Sequence, residues 1–171
     1  MSGSKTISAL GFLTAIEHPQ QGVLGGYLVL NHSGRPMEFH CTAPVKPNRA
    51  QQILYGPTLE PYIYGELIGA TLLEKSTSHP TAIFTDLPSM LAARPYTSLP
   101  LAFVHSGEHR IDGPHNLASP VFMRGKTRLS VHGQHTEDQE KVLSKLKELD
   151  NHFDLSEPFG RIREALKEAQ Q

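Results

Sequence analysis

The sequence predicts an α/β domain: three antiparallel strands, a long helix, further strands in a mixed sheet, and C-terminal helices packed on it. Three observations carry the prediction. Residues 25–42 read as a hairpin, Thr58 to about Glu74 as an amphipathic helix, and Thr81 to Thr85 as a buried strand that delivers Asp86 at its carboxyl end.

Each element has its own signals. The first strand lies within Thr6 to Glu17, where Ile7, Leu10, Phe12, Leu13 and Ile16 give an apolar pattern that stops at His18-Pro19. Gly25-Gly26 leads into Tyr27 to Leu30, and Asn31 to Gly34 supplies turn chemistry. Met37 to Thr42 then alternates, which predicts Met37, Phe39 and Cys41 in the core and Glu38, His40 and Thr42 outside. Pro44 and Pro47 end that strand. Asn48 is a helix cap, with Ile53, Leu54 and Tyr55 expected to pack inward. Thr58 caps the long helix, Pro61 falls in its first turn, and Leu59, Ile63, Leu67, Ala70 and Leu73 form its apolar stripe.

After Asp86 come a short helix over Leu87 to Ala93, a strand over Leu99 to Val104 and a polar loop from His105 to Ser119. Pro120 to Met123 and Thr127 to Val131 form a second hairpin around Arg124-Gly125-Lys126. Thr136 and Gln139 have capping-box spacing ahead of Val142, Leu143, Leu146, Leu149 and Phe153. Asp154 or Ser156 starts a last helix, with Pro158 in its first turn and Phe159, Ile162 and Leu166 on its buried side. Residues 1–135 are thus expected to form an α/β core and residues 136–171 a helical extension of the same domain.

Length and charge narrow the function classes. A chain of 171 residues with a formal charge of −1 fits one domain and carries no basic tail. A nucleic-acid partner would need a local patch, either Arg124, Lys126 and Arg128 or Lys46 with Arg49. No apolar run approaches the roughly 20 residues that span a bilayer, so a cytoplasmic location is expected. The single cysteine, Cys41, reads as a packed thiol.

Ten histidines raise metal binding. His105-Ser106-Gly107-Glu108-His109 matches an inverted zinc-peptidase spacing, but Gly107 and the nearby Asp112-Gly113-Pro114 oppose the helix that spacing needs. A looser metal site of His105, His109 and His115 is the remaining expectation. Gly125-Lys126-Thr127 lacks the earlier glycine of a phosphate-binding loop, since Pro120 stands there. In the proline-stiffened connector, Lys46, Asn48, Arg49 and Gln52 are candidates to read a phosphate or an acidic partner.

Over residues 7–104 the order of three strands, a helix, a fourth strand ending in aspartate, a short helix and a fifth strand resembles the ribonuclease H-like superfamily. The resemblance implies carboxylates on the first strand, the long helix and the end of the fourth strand, holding two divalent metals, Mg or Mn, about a phosphoryl displacement. The matching helix positions are Glu60 in Leu59-Glu60-Pro61-Tyr62, or Glu66. Asp86 in Phe84-Thr85-Asp86 matches the fourth strand. The first strand departs from the pattern: Leu10 to Ile16 holds no acid, and Glu17 stands at its end.

The hairpin from Gly25 to Thr42 is also similar to longin-like and roadblock-like modules, which pair with protein partners and catalyse nothing. Asp86 has a second reading too, as the cap of the helix opened by Leu87-Pro88. The function expected from these readings is a non-catalytic binding module. It would act through a protein partner, with nucleic acid possible nearby, using the connector, the histidine-rich loop or the last helix. The alternative is a metal-dependent ribonuclease H-like nuclease using Glu17, Glu60 or Glu66, and Asp86.

Overall fold

A computed structural model describes residues 9–105, 117–150 and 152–170. Seven strands form one mixed sheet: β1 (Leu10–His18), β2 (Gly22–Leu30), β3 (Pro36–Cys41), β4 (Ala82–Thr85), β5 (Leu101–Val104), β6 (Phe122–Arg124) and β7 (Thr127–Val131). Their order across the sheet is β3-β2-β1-β4-β5-β7-β6. β1, β4 and β5 run parallel at the centre, and antiparallel hairpins flank them on both sides. The expected α/β class, a mixed sheet with helices packed on it, is observed.

Alternation along the strands sorts two cores onto the two faces. On one face Leu10, Phe12, Leu28 and Phe84 meet α3 (Asp138–Leu146) and α4 (Glu157–Ala169) through Val142, Leu146, Phe159, Ile162 and Leu166. On the other, Leu13, Tyr27, Val29, Ile83 and Phe103 meet Ile63, Ile68 and Leu72 of a continuous helix over residues 59–75, here α2. A short helix, α1 (Arg49–Tyr55), precedes it, and a 3₁₀ stretch over Pro88–Tyr96 follows β4.

Gly25 and Gly26, expected to lead into the strand, sit inside β2. A Cβ on Gly25 would stand 2.1 Å from Ile68 Cγ2, and one on Gly26 2.4 Å from Ile162 Cγ2. Successive residues point to opposite faces, so this glycine pair lets α2 and α4 settle close to the sheet from both sides.

The middle of α2, Tyr62–Gly69, is π-helical, and the Ala70 N–H reaches back to Gly65 O. The extra residue per turn rotates the buried stripe. Ile68 and Leu72 are buried where Leu67 and Leu73 were expected.

β3 also reverses its expected facing. Met37, Phe39 and Cys41 are exposed, while Glu38 turns inward. The cause is polar. The Glu38 carboxylate accepts hydrogen bonds from Thr77 N (2.7 Å), Thr77 Oγ1 (2.8 Å), Ser76 Oγ (3.0 Å) and Ser78 N (3.0 Å), and pairs with His40 Nε2 (2.8 Å). Alternation then sends Phe39 to the α4 face, where α4 covers β1 and β2 and leaves the outer strand open. Burial opposes ionisation of Glu38, but these donors outweigh it and hold the carboxyl far below its ordinary value of 4.5. A depressed folded value stabilises the protein above the unfolded value and loses that contribution as pH falls below about 4.5. Glu38→Gln should therefore flatten the acid limb of the stability-pH curve, read from urea melts between neutral and acid pH. An unchanged limb would contradict the assignment.

Other expectations resolve locally. Asn48 caps α1 in a reciprocal capping box with Gln51 (2.8 and 3.0 Å). Ile53 and Leu54 do not pack inward, being 64% and 82% exposed. The second hairpin forms, turning at Gly125 with φ +57°. The Thr136 and Gln139 box does not form; Glu137 precedes α3 without a side-chain cap. No helix among the described residues is long and apolar enough to cross a membrane.

Candidate functional site at the end of β4

β4 stops at Thr85, paired with Leu13, while β1 continues to His18 with only β2 beside it. The sheet opens at that fork. Thr14 stands on β1 at the level where β4 has ended, and Asp86 is the first residue beyond β4. Thr14 is the one polar side chain in the buried stretch Leu10 to Ile16.

Thr14 Oγ1 donates to Asp86 Oδ1 at 2.6 Å. Arg163, from the middle of α4, donates through Nη2 to Asp86 Oδ2 and, at 3.3 Å, to Thr14 Oγ1. Both carboxylate oxygens are thus engaged. Thr14 is fully buried and Asp86 nearly so, whereas the Arg163 side chain remains 33% exposed. Arg163 Nε and Nη1 make no hydrogen bond to the described residues. Asp86 therefore does not cap the following 3₁₀ stretch, whose cap position is Leu87.

The other acids lie elsewhere. Alternation along β1 puts Glu17 on the α2 face, where it and Glu60 flank Tyr64. Burial first, then these two charges, push the Tyr64 hydroxyl up to about 12. Glu66 Oε1 accepts from Tyr96 Oη at 3.3 Å, and its charge is the main reason the Tyr96 hydroxyl titrates above its ordinary value. Among the described residues these acids do not gather with Asp86 into a group of three or more.

Two of the four connector residues have local side-chain partners. Lys46 Nζ donates to Gln20 O at 3.1 Å, Asn48 is the α1 cap, and Arg49 and Gln52 lie exposed on α1. Arg124 reaches Leu146 O and Asp150 O, both at 3.3 Å, at the end of α3. His105 Nε2 lies 2.8 Å from Ser130 Oγ; burial, then Arg128, lower its pKa. His109 and His115 fall outside the described residues.

Divalent metal does not fit this site. Among the described residues no three His, Cys, Asp or Glu side chains converge on one point. At the fork stands a single carboxylate, each oxygen already accepting from a guanidinium or a hydroxyl, whereas a Mg or Mn pair needs several oxygen ligands.

No protein-family model matches the sequence, and no curated protein does. Solved structures do share the fold. Human endonuclease V is similar with a TM-score of 0.57 and 14% identity, over 98% of this chain and 87% of that one. Ciona intestinalis endonuclease V, as an aspartate-to-asparagine variant with a 23mer DNA containing an inosine followed by a ribo-adenosine, gives a TM-score of 0.53 at 12% identity, covering 96% and 87%. The same enzyme with a 24mer DNA of that kind gives 0.51 at 12%, covering 96% and 88%.

These likenesses show a distant relation in fold to the endonuclease V structures. They also correct the expected function. These three structures, alike over nearly the whole chain, are of nucleases, two of them holding DNA, and not of modules that pair with protein partners.

Proposed function

We propose that this chain acts on nucleic acid as an endonuclease V-like protein, with the reacting phosphodiester received at the fork between β1 and β4. The observation that carries this reading is the placement of Asp86: it is the polar group at the carboxyl end of a central parallel strand, where open α/β sheets hold their ligands. The nucleic-acid complexes of the structural neighbours support the substrate class.

The cluster gives Asp86 a defined task. Thr14 fixes one carboxylate oxygen and the carboxylate in turn fixes the Arg163 guanidinium, so a charged donor is held ready where negative charge gathers on a phosphodiester. Preorganised donors of this kind act without having to reorient during the reaction.

The test uses 5′-labelled DNA and RNA strands, single and duplex, with and without inosine, incubated with the purified chain in magnesium, in manganese and in EDTA. Strand scission should appear with wild type and fall by roughly 10²-fold or more in Asp86→Asn, a loss typical of removing a preorganised polar group. Circular dichroism of both proteins checks the fold. Absence of both scission and binding on every substrate would refute the proposal.

A further inference from the structure

We infer that Arg163 takes the place of a divalent cation at the end of β4, making Thr14, Asp86 and Arg163 a phosphate receptor that works without metal. The inference deepens the nucleic-acid reading and rests on it for the polymer that carries the phosphate.

Charge balance is the first argument. A carboxylate as buried as Asp86 needs a counter-charge, because an isolated ion there is costly. In a metal centre the cation supplies it; here Arg163 does, one positive group against one negative, with neutral Thr14 bridging them. A second cation would have to compete with the donors that both carboxylate oxygens already accept.

Geometry is the second argument. A guanidinium carries five N–H donors in a planar fork that suits two oxygens of one phosphate. Asp86 and Thr14 engage only Nη2, which leaves Nε and Nη1 without partners among the described residues on a side chain still partly open to solvent. The ion pair therefore leaves the remaining donors unspent on a partly exposed side chain beside the fork. Arg161, two residues earlier on the same helix, serves as a contrast. Its Nε and Nη2 are held by Glu157 (2.6 to 3.0 Å) and its Nη1 by Gly34 O (2.7 Å), so its donors are spent on the protein.

The experiment titrates wild type, Arg163→Ala, Arg163→Lys and Arg161→Ala with a fluorescein-labelled single strand in EDTA, followed by anisotropy at several salt concentrations. Wild type should bind in EDTA. Arg163→Ala should bind at least about tenfold more weakly, with a salt slope smaller by about one, the signature of one lost phosphate contact. Arg163→Lys keeps the charge without the fork and should fall between them, which also covers the case of a misfolded alanine variant. Arg161→Ala should bind as wild type does.

Loss of wild-type binding in EDTA, equal binding by wild type and Arg163→Ala, or a saturable manganese site on wild type that vanishes in Asp86→Asn would each overturn the inference. Each leaves the nucleic-acid reading standing. If no strand binds at all, that reading fails, and inorganic pyrophosphate then decides the receptor alone. An Arg163-dependent shift of the arginine Nε–H resonance keeps it, and no shift ends it.

Discussion

Replacing Phe12 by alanine is expected to lower stability by about 3–5 kcal/mol, the usual range for emptying a fully buried aromatic site. The ring lies at the centre of an aromatic group: its centroid is 5.6 Å from Phe84 in a stacked arrangement, 5.6 Å from Phe159 edge-on, and 6.4 Å from Phe153. Phe84 belongs to β4 and Phe159 to α4, so the cavity would open between the strand that delivers Asp86 and the helix that delivers Arg163. Phe159 stands one helical turn before Arg163 on α4. The variant should therefore lose part of its nucleic-acid binding even at temperatures where it remains folded. Urea melts read the stability and anisotropy reads the binding. A loss below about 1 kcal/mol would show that α4 is not seated through this ring, since even modest cavities exceed that.

Asp138→Ala should cost a comparable amount, about 3–5 kcal/mol, because it leaves a buried guanidinium without its partner. Asp138 is completely buried at the start of α3 and accepts from Arg94 Nε at 2.6 Å, Arg94 Nη2 at 3.1 Å and Leu101 N at 3.3 Å. Arg94, itself 6% exposed, also donates to Thr97 O at 2.7 Å. One carboxylate thus ties the 3₁₀ stretch, the start of β5 and α3 together. Arg94→Ala should destabilise similarly, and the double variant should lose much less than the sum, since the second change removes a group the first had already stranded. Additive losses in a double-mutant cycle would contradict the pairing.

The resemblance to ribonuclease H-like proteins rested on element order, and that order is set by local pattern. Alternation in β1 and β2, the apolar run of β4 and the long helical stretch each follow from neighbours a few residues apart. For the same reason the Asn48 cap, the turn at Gly125 and the buried face of α4 were legible. The facing of β3 was not. Apolarity favoured Met37 and Phe39 inside, yet Glu38 gains donors from Ser76, Thr77 and Ser78, some forty residues away, which period-two reasoning cannot see. The rotated stripe of α2 escaped as well, because a π segment changes the period on which the count depends.

The candidate site divides the same way. Asp86 was visible as an acid closing an apolar strand, and Thr14 left a faint signal as a polar residue in a buried run. Arg163 left none. It is one charged residue on an amphipathic helix, 77 positions from its partner, and only the packing of α4 across β1 brings the two together. The acids chosen from the family pattern do not gather into one cluster among the described residues, and Asp86 meets Arg163 instead. By itself the sequence determined the class of fold and the position of one carboxylate, since hydrophobic period and chain punctuation are short-range properties. Tertiary structure alone decided what faces that carboxylate, because a counter-ion is chosen by proximity in space and by the energy of burying charge.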